Sequence, residues 1–144
     1  MTYLDPSVWG PHYWFFLHTI AMTYPLYPNS ITKKKYYDFI QNLPLFIPVE
    51  DISSKFTRML NRYPISPYLD NRESLVTWMH FVHNKINEEL EKPTITLEQF
   101  KRDYENAYKR ADVALAEHAR WKHRGLYALV MIAIAGGIYV GLRK

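Results

Sequence analysis

The sequence predicts an all-α fold: a bundle of four or five helices, then a basic linker and a membrane-spanning helix. Three observations carry this expectation. No stretch alternates apolar and polar residues with the period of two that a half-buried strand requires. Apolar residues recur instead three and four apart, in segments bounded by proline, serine and asparagine. Near the C-terminus, Gly125 to Leu142 forms a run of roughly 18 residues without a charge, about 27 Å as a helix, close to the ~30 Å of a hydrocarbon core.

The first helix is expected over residues 9–24. Trp9-Gly10-Pro11 opens it, since proline in a first turn removes an N–H that has no partner there, and Tyr24-Pro25 ends it. Ser30 is positioned to cap a second helix, with Tyr36, Phe39, Ile40 and Leu43 on one face and Lys33, Lys34 and Lys35 outward. Pro48 opens a third, roughly 48–62, with Glu50 and Asp51 near its positive dipole end. A fourth starts at Asp70, with Glu73 completing a box-like cap, and runs to about Glu91. After Lys92-Pro93, Thr96 with Gln99 caps a fifth that can continue toward the apolar run.

The 144 residues, 48% apolar, supply one core, and the 16% aromatic share makes that core ring-rich. Cysteine is absent, which excludes disulfides, thiolate nucleophiles and thiolate metal sites within this chain. The formal charge of +4 is too small to point to nucleic acid, and the three consecutive lysines read as a solvated helix face. The apolar run is flanked by Arg120, Trp121, Lys122 and Arg124 on one side and by Arg143 and Lys144 on the other, as interfacial anchors would be. The basic excess before it places the bundle on the cytoplasmic face. The alternative is a buried core helix, against which its uniform apolarity argues.

Two apolar helix faces carry polar rings and amides. Trp14, His18 and Ala21 share one face of the first helix. On the fourth, His83, Asn87 and Leu90 do the same, with His80 and Asn84 alongside. A single buried histidine is commonly just a satisfied core residue, but His and Asn clustered over two turns need partners, and a planar polar ligand would supply them. No third ligand accompanies His80 and His83 at a metal-site spacing, so no metal is expected.

Two segments resemble the signatures of the Erv/ALR family of FAD-dependent sulfhydryl oxidases: "WGPHYWFFLHTIAMTYP" (9–25) and "WMHFVHNKINEELEKP" (78–93). Between them "FIPVEDISSKF" stands where the family has F-x-P-C-x-x-C, and Tyr104 and Tyr108 take the place of aromatics closing the isoalloxazine site. The resemblance covers about residues 8–108 and implies a four-helix bundle plus a short fifth helix, cradling FAD and often dimeric through the first helices. The residues implied to contact FAD are Trp14, His18, Tyr24, His83, Asn84, Asn87, Leu90, Lys92 and Tyr104. The expected organisation is therefore a bundle over 1–108, a basic juxtamembrane stretch over 109–124 and an anchor over 125–142.

The departure from the family lies at Val49 and Ile52, which occupy the two cysteine positions. Thiol–disulfide exchange requires a thiolate to attack and a disulfide to accept, so no catalytic residue is expected in this chain. The leading expectation is a redox-inactive, membrane-anchored structural or interaction protein with protein partners. Because large DNA viruses encode family members, a minor capsid or inner-membrane component is the setting the resemblance suggests. The alternative is a flavoprotein that keeps FAD and works on cysteines supplied by a partner.

Overall fold

Side chains that cap the backbone decide where the helices start, and most do so within a few residues of the expected positions. The computed structural model describes residues 4–142, with side chains except at positions 111, 114 and 133–142. Five α-helices follow in order, α1 (Pro6–Met22), α2 (Ser30–Asn42), α3 (Glu50–Arg62), α4 (Arg72–Glu89) and α5 (Leu97–Leu142), with 3₁₀ turns at Leu43–Phe46 and Ser66–Tyr68. No strand occurs among the described residues. Contacts divide the chain into two units, Met1–Phe100 and Lys101–Lys144.

α1 begins three residues before the expected start. Asp5 accepts a 2.8 Å hydrogen bond from the Ser7 N–H, and Pro6 occupies the first helical position. Pro11 is consequently inside the helix instead of in its first turn. α2 is capped by Asn29, whose Oδ1 accepts from Thr32 N at 2.8 Å, and Ser30 becomes its first residue. α4 is capped by Asn71, not Asp70, with Oδ1 accepting from Ser74 N at 2.9 Å. In α2 and α4 an asparagine next to the expected cap residue takes the free N–H. Pro48 lies outside α3, where Val49 is the cap residue and offers no side-chain bond.

α4 ends in a Schellman motif. Glu91 N donates to Glu88 O at 3.1 Å and Lys92 N to Asn87 O at 2.8 Å, closing the helix's last carbonyls. The motif needs a left-handed residue, and Glu91 takes that role with φ 54° in place of the usual glycine.

In the first unit the largest helix–helix contact is between α1 and α4, with α3 also packed on α4. Leu17 and Ala21 of α1 and Met79, Val82 and Ile86 of α4 are buried. Trp78, 1% exposed, donates from Nε1 to Tyr63 O at 3.1 Å, so its ring is buried and its one polar atom satisfied. The turn at Leu43–Phe46 is tied on two sides: Ser53 Oγ donates to Pro44 O at 2.7 Å and the Tyr13 hydroxyl to Phe46 O at 2.9 Å.

The fifth helix is not the short one that the resemblance implies; it continues past residue 108, as its Thr96 cap and following sequence allow. α5 runs 46 residues because nothing between Leu97 and Arg124 interrupts it: that stretch contains neither proline nor glycine and is rich in alanine, glutamate and basic residues. Among the described residues no helix is long and apolar enough to cross a membrane. The membrane helix expected over 125–142 is thus not supported by them; its uncharged run is described only to Ile132, and the side chains of 133–142 lie outside the described residues.

Two substitutions test this fold. Trp78→Ala should destabilise by roughly 3–5 kcal/mol in urea unfolding, as truncation of a buried indole does. Glu91→Gly should act in the opposite direction, adding about 1 kcal/mol by removing the left-handed penalty, seen as a higher unfolding midpoint.

Candidate functional site

The polar rings singled out on two separate helices meet. Trp14 of α1 stacks on His83 of α4 with ring centroids 3.9 Å apart and 11° between planes. His18, one turn further along α1, has its Nε2 2.8 Å from His83 Nδ1. The spacing i, i+4 on α1 puts Trp14 and His18 on one face, and packing of α1 against α4 brings that face to His83. Phe100, at the start of α5, closes the group with its ring 4.1 Å from that of His18, and Phe56 of α3 lies 6.4 Å from Trp14. Sequence reasoning did not single out Phe100 or Phe56. The signal for Phe100 was its position four residues after the Thr96 cap, facing back toward the bundle.

His18 is 4% exposed, and burial depresses its pKa to about 3, with the positive forms of His83 and His80 adding to the effect. His83 falls to about 4 for the same leading reason. Both rings are therefore neutral at physiological pH, and the 2.8 Å contact holds a single N–H, donated by one ring to the other. Whichever ring donates, His18 Nδ1 remains a buried polar atom without a protein partner, the one such side-chain atom among the described residues. It is a donor in one tautomer and an acceptor in the other.

The remaining singled-out residues have other surroundings. Asn84 clasps the loop after α4: its Nδ2 donates to Ile95 O at 2.8 Å while its Oδ1 accepts from Ile95 N at 3.2 Å. His80 Nε2 donates to the same carbonyl at 2.8 Å, so the 3.2 Å approach of Asn84 Nδ2 to His80 is that of two donors sharing one acceptor. Tyr24 is fully buried, its hydroxyl donating to Leu69 O at 2.9 Å, its ring 4.5 Å from Tyr36, and its carbonyl accepting from Arg72 Nε. Asn87 and Leu90 are half-buried at the end of α4, and Lys92 is exposed. Tyr104 belongs to the second unit, where its hydroxyl lies 3.2 Å from that of Tyr108. Val49 is half-buried at the start of α3 and Ile52 is buried within its first turn. Among the described residues no cluster of three His, Asp or Glu side chains could hold a metal ion.

The histidine pair gives the bundle a definite pH response. Below the ordinary value of 6.5 the unfolded chain takes up protons that His18 and His83 refuse when folded. Stability is therefore full above that value and falls with pH below it, by up to about 1.4 kcal/mol per group for each unit. The urea midpoint, followed by tryptophan fluorescence, should drop between about pH 7 and about pH 5, where carboxylates remain ionised. The double variant His18→Gln/His83→Gln should show a flatter profile over the same range.

Comparison with known proteins places this site in context. Residues 11–105 match the Erv1/Alr family. The chain is 33% identical over 85 residues to the probable FAD-linked sulfhydryl oxidase R368 of Acanthamoeba polyphaga mimivirus, covering 58% of this chain and 59% of that protein. It is 33% identical over 89 residues to the mitochondrial FAD-linked sulfhydryl oxidase erv1 of Schizosaccharomyces pombe, covering 62% and 49%. Against these two relatives it therefore spans about half to three fifths of their length. The putative FAD-linked sulfhydryl oxidase 096R of Invertebrate iridescent virus 3 is 22% identical over 138 residues, covering 92% and 93%. Among solved structures, the yeast Erv1 core superposes with a TM-score of 0.65 at 25% identity, covering 72% of this chain and 86% of that one. The FAD binding domain of Erv1 from Saccharomyces cerevisiae gives the same score and identity, covering 72% and 97%. The match over well beyond half of its length, together with the shared helical fold, means that this chain belongs to the Erv1/Alr family.

Proposed function

We propose that this chain uses the Erv1/Alr bundle as a membrane-tethered interaction protein and does not oxidise thiols with its own residues. One observation carries the reading: the positions corresponding to the family's redox pair hold Val49 and Ile52, and no cysteine exists elsewhere in the 144 residues to replace them. Valine and isoleucine have no lone pair to attack a disulfide and no oxidised state to pass on. Ile52 is buried against the bundle, so the position now contributes packing. The tether is residues 125–142, supported by their lack of charge and by the basic residues before them, which favour a bundle on the cytoplasmic face. Protein partners, with a minor capsid or inner-membrane role in a large DNA virus, belong to the same reading, for which the relatives support only a viral setting. A homodimer through the first helices is part of the same reading.

A second reading is favoured by a specific feature of the site. His18 Nδ1 is an unpartnered polar atom beside stacked aromatic rings, and a planar heterocycle with hydrogen-bonding edges fits both needs. FAD is such a ligand; Trp14, His18 and His83 would hold it, and when bound it supplies a two-electron acceptor for thiols. In that case the residues of this chain bind and orient, and both cysteines come from a partner. His18 and His83, neutral at physiological pH, would offer hydrogen bonds without charge.

One preparation separates the readings. The purified full chain should consume no oxygen with dithiothreitol above a free-flavin control; uptake above that control overturns the loss of thiol oxidation. Visible flavin absorbance that stays with the protein through gel filtration would establish the second reading, and a colourless protein would leave the scaffold alone.

A further inference from the structure

We propose that the segment from Arg120 to Ile132 is a binding collar selective for anionic phospholipid headgroups. The proposal rests on the membrane tether above and deepens it, because it names which lipid the tether recognises. Three features of the second unit support it.

First, exposure of the apolar part is not confined to one side. Leu126, Tyr127, Leu129, Val130, Met131 and Ile132 are each between 47% and 69% exposed. At 100° per residue these positions point around the whole helix. A protein groove covers one stripe of a helix, whereas hydrocarbon surrounds it, and a helix apolar on all sides needs such surroundings. Second, Arg120, Lys122 and Arg124 are all exposed and lie within about one turn of where the uncharged run begins. None is held in an ion pair among the described residues. The nearest acidic side chain on the N-terminal side is Glu117, and residues 118–132 contain none, so the collar has no internal anion to neutralise it. Third, Trp121 is 71% exposed between two of these cations. An indole with an apolar body and one N–H donor suits the headgroup level of a bilayer, where phosphate and carbonyl acceptors meet hydrocarbon. A nucleic acid could use the three cations but would leave Trp121 and the encircling apolar surface unexplained.

The test is flotation of the full chain with vesicles of phosphatidylcholine alone and of phosphatidylcholine with phosphatidylserine. Binding should be stronger with phosphatidylserine and weaken as salt screens the charges. The variant Arg120→Gln/Lys122→Gln/Arg124→Gln should reduce binding to the anionic vesicles on the order of a hundred-fold, each cation near such a surface contributing several-fold. Trp121→Ala should weaken binding to both vesicles while keeping the preference. Equal binding of the parent chain to the two compositions would overturn the collar and leave the tether standing. Binding to neither would overturn both. Tighter binding to a duplex oligonucleotide than to anionic vesicles, unaffected by Trp121→Ala, would overturn the collar in favour of a nucleic-acid surface.

Discussion

The first unit depends on the meeting of α1 and α4, and the centre of that meeting is polar. A buried hydrogen bond between two neutral histidines, 2.8 Å long, sits against a tryptophan stacked 3.9 Å from one of them. Burying two imidazoles is tolerable only while neither is charged, since an unpaired buried cation is far more costly than a neutral ring. The contact therefore fixes the relative position of the two helices more narrowly than aliphatic packing would, because a hydrogen bond has a direction and a methyl contact does not. The loops adjoining α1 and α4 follow from it: Tyr24 ties the end of α1 to Leu69, and Asn84 ties the end of α4 to Ile95.

The helix count, order and polar cluster were legible because they rest on periodicity and local chemistry. Trp14 and His18 were readable as one face, and that face meets His83. What escaped was set by competition or distance. Asn29 and Asn71 won caps assigned to Ser30 and Asp70, since several short polar side chains near a helix start can reach the same N–H. Asn84 looked like part of the cluster from its helical position alone, yet its amide matches both backbone groups of Ile95, a pairing across eleven residues that no periodicity reports. The resemblance implied a short fifth helix, whereas the composition of α5, free of proline and glycine up to Arg124, allowed the longer one that is found.

Family membership rests on other features than the residues that redox chemistry uses. Fold recognition rests on faces and spacings spread over residues 11–105, and replacing two side chains changes neither. Redox chemistry rests on two sulfur atoms, for which no other residue type can substitute.

A free helix N-terminus is the kind of place that stabilises a thiolate. At the start of α3 Val49 offers no side-chain bond to the first N–H groups, and Glu50 and Asp51 in the first turn set negative charge against the dipole there. Valine and isoleucine leave that helix start standing with no sulfur on it, so the departure from the family pattern is one of two side chains and not of architecture.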